Sequence, residues 1–94
     1  MPVDWTDSAL ADLRQIVEYI AADDPQAATR TGQRIWDAAS RLERHPGLGR
    51  PGRMHDTREL VVSGTPYILP YCIEHGRPTI LRVLHGARKW PDSI

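Results

Sequence analysis

Apolar positions recur at helical spacing through the first half of the chain. Leu10, Leu13, Ile16, Val17 and Ile20 fall three or four residues apart, and Thr6 stands ahead of them as an N-cap. Asp7 and Asp12 sit in the early turns, where the positive end of a helix dipole favours carboxylates. The pattern stops at Ala22-Asp23-Asp24-Pro25, and Asp24-Pro25 reads as the N-cap and first position of a second helix. Ala28, Ile35, Ala39 and Leu42 give that helix its apolar stripe. Gly32 lies between them, where a missing side chain lets the first helix approach closely. His45-Pro46 closes the second helix, and the short link predicts an antiparallel hairpin.

The pattern then changes. Residues 45–53, rich in Gly, Pro and Arg, predict a surface loop. Beyond it, Arg58 to Val62, Tyr67 to Glu74 and Thr79 to His85 are rich in β-branched and aromatic residues. Turn sequences at Ser63-Gly64-Thr65-Pro66 and His75-Gly76-Arg77-Pro78 separate them. The expected fold is α+β: an N-terminal antiparallel helix hairpin packed on a small antiparallel sheet, with all 94 residues in one domain. The sheet is a three-stranded meander, with Pro2 to Trp5 as a possible N-terminal edge strand. Pro70, inside the middle strand, predicts a bulge or an unpaired edge.

Composition narrows the class. Hydrophobic residues make up 40% of the chain, yet no apolar run approaches the roughly 18 residues of a membrane span. The single cysteine, Cys72, excludes an internal disulfide and suits a reducing compartment. With no visible secretory signal, the expected location is cytoplasmic. Twelve basic and twelve acidic side chains cancel to a net charge of zero, but not evenly. Residues 1–47 carry five arginines against eight acids, and residues 48–94 carry seven bases against four. A generally basic, nucleic-acid-coating protein is therefore disfavoured, while a local cationic surface in the second half remains.

Phosphate-binding, dinucleotide-binding and nucleophile-elbow motifs are missing, so no cofactor is expected. The four histidines are ten or more residues apart and Cys72 has no partner, so neither is a metal. What remains is cationic. Arg50, Arg53 and Arg58 lead into the first strand of the meander, and Arg82, His85, Arg88 and Lys89 lie on or after the last. One reading is a site for an anionic ligand or for RNA cleavage, with His85 moving a proton and the arginines meeting phosphorane charge. The structural alternative pairs Arg82 with Glu59 across the sheet and leaves His85 to cap a strand end. Trp5, Trp36 and Trp90 read as packing residues on three different elements, and Tyr67 and Tyr71 as core-facing.

The order of residues resembles the RelE/ParE superfamily of type II toxins. The resemblance runs through Trp5-Thr6, Ala9, Asp12-Leu13, Ile16 and Tyr19-Ile20, then Gly49-Arg50-Pro51-Gly52-Arg53, Thr57 to Val62 and Pro66 to Tyr71. It ends on the most specific stretch, Ile80 to Pro91. It implies a toxin neutralised by a cognate antitoxin, whose tail docks by helix-in-groove contact or strand addition. RelE-like members cleave mRNA in the ribosomal A site, and ParE-like members inhibit DNA gyrase. Arg88 matches one functional arginine of the ribonucleases, but the second falls on Ile68. Their first-strand lysines have only Arg58 as a substitute, their C-terminal tyrosine has no counterpart, and His85 matches by position alone. The chain is therefore more similar to the ParE branch, with gyrase as the expected target. Arg50, Arg53, Arg58, Arg82, Arg88, Lys89 and Trp90 are the residues expected to meet antitoxin or target. A ribosome-dependent endoribonuclease using His85, Arg88, Arg58 and Arg82 is the alternative, and an inactive antitoxin-binding member is a third reading.

Overall fold

A computed structural model describes residues 2–94. Strand β1 (Asp4–Trp5) leads into helix α1 (Asp7–Ala21), and α2 (Pro25–Ser40) runs on into a 3-10 turn (Arg41–Glu43). Both expected caps are present. Asp24 accepts from the Gln26 and Ala27 amides at 3.1 Å. The Thr6 hydroxyl accepts from Ala9 N at 3.0 Å and donates to the Leu81 carbonyl at 2.8 Å, so the same residue starts the helix and ties it to the sheet. A Cβ placed on Gly32 would lie 3.2 Å from Val17 Cγ2, the close helix approach that a glycine there predicts.

The sheet is larger than a meander. It contains β2 (Arg50–Pro51), β3 (Arg58–Val61), β4 (Tyr67–Glu74), β5 (Arg77–Ile80) and β6 (Leu84–His85), in the order β1-β5-β4-β3-β2, with β6 also on β4. Two expectations change. The loop after α2 contributes β2, which pairs with Glu59 and Arg58. The N-terminal edge strand pairs parallel to β5, so the sheet is mixed and not purely antiparallel.

The strand expected over Thr79 to His85 is broken. Ile80 pairs with Tyr71 and Leu84 with Ile68, so Leu81, Arg82 and Val83 face only Leu69 and Pro70. One extra residue makes this a bulge. The Pro70 carbonyl accepts from Leu81 N at 2.9 Å. In a strand, the N and C=O of one residue point to the same side. The nitrogen of Pro70 therefore faces the bulge, where a ladder donor is not needed, and pairing with Glu59 on β3 is undisturbed.

Asp12 closes the gap. Its carboxylate accepts from Arg82 Nε at 2.7 Å and Nη2 at 3.0 Å, and from Val83 N at 3.0 Å. Arg82 is thus paired with α1 and not with Glu59, and Asp12 acts across the fold as well as on its own helix. The hydrogen-bonded carboxylate holds the guanidinium more firmly protonated than usual, against the opposing effect of burial.

The core lies between the hairpin and one sheet face. Ile35, Ala38, Ala39 and Leu42 meet Leu60, Val62, Leu69, Tyr71, Ile80 and Val83 there. The α2 stripe is as expected. On α1 the fully buried residue is Ala9, with Leu13 and Ile16 partly buried against the core, whereas Leu10 is 40% exposed. Trp5 and Trp36 stack with centroids 5.1 Å apart. Among the described residues, no helix is long and apolar enough to cross a membrane.

Replacing Asp12 by Ala leaves Arg82 and the Val83 amide without their acceptor. The expected loss is about 2–3 kcal/mol of unfolding free energy, since the pair is only partly exposed. Urea denaturation of the variant beside wild type measures it.

Candidate functional site

The bulge turns the chain so that residues 83–90 form a wall facing α1. Between them lies a groove of about 440 Å³, lined by Asp12, Ile16 and Tyr19 of α1, by Tyr67 of β4, and by His85, Arg88, Lys89 and Trp90 of the wall. Asp12, Ile16 and Tyr19 lie at i, i+4 and i+7, so one helix face presents them together. Tyr19 is 77% exposed. The Tyr67 and His85 rings meet edge to face at 5.8 Å. Ala87 N donates to His85 Nδ1 at 3.2 Å, which leaves Nε2 as the ring nitrogen without that contact.

The residues expected to converge are instead divided into three groups. His85, Arg88, Lys89 and Trp90 share the groove, with Arg82 held behind it by Asp12. Arg50 and Arg53 belong to Glu59, a carboxylate only 3% exposed. Arg50 Nη2 donates to its Oε1 at 3.2 Å, and the Arg53 backbone N donates to Oε2 at 2.7 Å, with Arg53 Nε at 3.7 Å. Arg58 is bound to the preceding loop, donating to the carbonyls of Gly49 at 2.8 Å and Gly47 at 3.4 Å. It lines a second hollow with Pro51, Asp56, Thr57, Cys72 and Ile73.

Two buried groups hold these pieces in place. The hydroxyl of Tyr71, fully buried, donates to the Pro46 carbonyl at 2.7 Å and accepts from Gly49 N at 2.8 Å. No Cβ fits at Gly49, where it would fall 2.6 Å from the Tyr71 ring. On the other side, the Arg53 guanidinium lies 3.5 Å over the Trp90 ring, and Trp90 Nε1 donates to the His85 carbonyl at 3.1 Å. A chain of contacts therefore runs from buried Glu59 through Arg53 and Trp90 to the wall of the groove. Asp12, Ile16, Tyr19 and Tyr67 also line the groove, beyond the residues expected there. The signal for the first three was their shared helix face.

Cys72 is not an activated thiol. Burial, and then the hydrogen bond to Glu74 Oε1 at 3.2 Å, push it up to about 11.

Three comparisons bear on this geometry. Residues 3–90 match the family model described as the ParE toxin of the type II toxin–antitoxin system, parDE. A protein of Sinorhizobium fredii named "Putative toxin Y4kP" is 46% identical over 90 residues, 96% of this chain and 93% of that protein. "Toxin RelE2" of Caulobacter vibrioides is 42% identical over 84 residues, 89% of this chain and 93% of that protein. A solved structure described as a chromosomal ParDE TA system from P. aeruginosa superposes with a TM-score of 0.84 at 27% identity, covering 90% of this chain and 95% of that one.

At pH 8 a thiol titrating near 11 has roughly one-hundredth of the thiolate of an ordinary cysteine. Alkylation of Cys72 in the folded chain is expected to be slower by about that factor than in urea, and Glu74→Gln to recover part of it. Timed iodoacetamide labelling read by mass spectrometry measures both.

Proposed function

Because the chain belongs to the ParE family of toxins of type II toxin–antitoxin systems, we propose that it arrests growth in the cytoplasm by binding DNA gyrase, and that a cognate antitoxin neutralises it. The observation that carries the choice of target is the dispersal of the ribonuclease set. Ile68, at the position of the second functional arginine in RelE-like relatives, is 8% exposed and has no charge to offer. Arg58 is committed to the Gly47 and Gly49 carbonyls, and Arg82 to Asp12. Of the four groups that cleavage would need, His85 and Arg88 alone share the groove.

Two groups are a poor equipment for cleavage but serve binding well. Arg88 and Lys89 are exposed beside the apolar surface of Ile16, Tyr19 and Trp90. Such a surface suits an amphipathic partner segment whose carboxylates meet the cations while its apolar side enters the groove. The antitoxin tail is the occupant we assign to it, and the exposed cations Arg50, Arg53, Arg88 and Lys89 with Trp90 are the residues we place in contact with antitoxin or target. The similarity to a protein named toxin RelE2 supports one second reading, a ribosome-dependent endoribonuclease in which His85 moves the proton and Arg88 meets phosphate charge.

Induced without its antitoxin, the chain is expected to halt growth, and co-expression of the cognate antitoxin to restore it. The purified chain should then perturb supercoiling or stabilise cleaved gyrase–DNA complexes while translated mRNA stays intact. Codon-spaced cuts on purified ribosomes, lost in His85→Ala, would instead establish the ribonuclease. Normal growth at verified soluble expression would leave only an inactive antitoxin-binding member.

A further inference from the structure

The outer face of α2 carries a cationic row that neither the groove nor the ion pairs use. At about 100° per residue, Arg30, Arg34, Asp37 and Arg41 fall within an arc of about 60°. The buried residues Ala28, Ile35, Ala38 and Ala39 occupy a separate arc that begins beside Arg34 at Ala38, so the row points away from the core. Arg44 follows at the end of the 3-10 turn, where residues three apart eclipse, so it continues in line with Arg41. All four arginines are exposed. Among the described residues, Arg30, Arg41 and Arg44 form no ion pair. Arg34 reaches only the Ser63 carbonyl, at 3.3 Å, and Asp37 is held by Gln33 Nε2 at 2.8 Å. Like charges one turn apart, Arg30 with Arg34 and Arg41 with Arg44, disfavour a helix, while Asp37, one turn from both Arg34 and Arg41, offsets part of that cost.

The spacing identifies the partner. The arginines form two pairs, Arg30 with Arg34 and Arg41 with Arg44, whose midpoints lie roughly 16 Å apart along the helix. The major groove of B-form DNA is about 12 Å wide, so flexible arginines at that separation reach the phosphates on its two sides. Asp37 then lies over the groove, facing base edges rather than a phosphate. A carboxylate is tolerated there, because cytosine offers it an amino donor. An acidic polypeptide, with carboxylates in one continuous line, would meet Asp37 in the middle of the row. We infer that the outer face of α2 is a docking surface for duplex DNA, contacted through both phosphate backbones by Arg30, Arg34, Arg41 and Arg44. The surface lies away from the groove and does not depend on which target the groove serves. Its binding is weak and oriented, because the net charge of the whole chain is zero.

The test is anisotropy of a labelled 20-bp duplex titrated with the purified chain between 50 and 200 mM salt. Four phosphate contacts predict a slope of log K against log salt of about −3.6. Arg30→Gln with Arg41→Gln is expected to reduce its magnitude by about 1.8, and Arg41→Gln with Arg44→Gln to do the same. Arg14→Gln, an exposed arginine of α1, serves as the control and should change nothing. A single strand of equal length, lacking the second backbone, should bind more weakly than the duplex. Circular dichroism confirms that each variant is folded. Absence of duplex binding at 50 mM salt, or a salt slope unchanged from wild type in both double variants, overturns the inference. Polyglutamate competing as well as duplex at equal charge would overturn it in favour of an acidic protein partner.

Discussion

The Asp12 carboxylate accepts three hydrogen bonds from the bulge that interrupts the sheet, two from Arg82 and one from the Val83 amide. Without an acceptor there, the extra residue between Ile80 and Leu84 would strand a backbone donor and a guanidinium at the edge of the core. With it, the bulge becomes the joint that fixes α1 against the sheet. The Thr6 hydroxyl, bound to Leu81 O, secures the helix start from the other side of the same joint. These polar ties add to the apolar packing of α1, in which Ala9 is fully buried and Leu13 and Ile16 lie against the core.

The groove follows from that joint. The bulge turns β6 so that His85 meets Tyr67, and the chain beyond it returns as a wall opposite α1. Glu59 supports the far side of this wall through Arg53 and Trp90. Arginine accordingly serves two purposes in this chain. Arg58 and Arg82 are bound to carbonyl or carboxylate groups of the fold, and Arg53 joins a carboxylate to an indole. Arg88 and Lys89 stay exposed on the groove, where a partner can reach them.

Much of the fold was legible because its signals are local. Thr6, Asp24-Pro25 and Gly32 mark the hairpin by capping and close-approach chemistry, and β4 spans the Tyr67 to Glu74 run that the sequence predicts. The break in the last strand was hidden, since a run buried on both sides shows no change of period when one residue is inserted. Pro70 alone hinted at it. The parallel pairing of β1 is equally silent in two residues. At the site, the partners of Arg82 and Glu59 were out of reach because they join distant segments, seventy residues apart in the case of Asp12 and Arg82. A basic cluster in the sequence therefore looked like one site, and the ion pairs divide it.

The division of the arginines into fixed and free is tested most directly by measuring unfolding free energy and growth inhibition together, at equal soluble levels, for Arg82→Ala and Arg88→Ala. Arg82→Ala is expected to lose about 2 kcal/mol of stability and to inhibit growth in proportion to its folded fraction. Arg88→Ala should keep its stability within about 0.5 kcal/mol and lose growth inhibition. A stable but inactive Arg82→Ala, or a fully inhibitory Arg88→Ala, would contradict it.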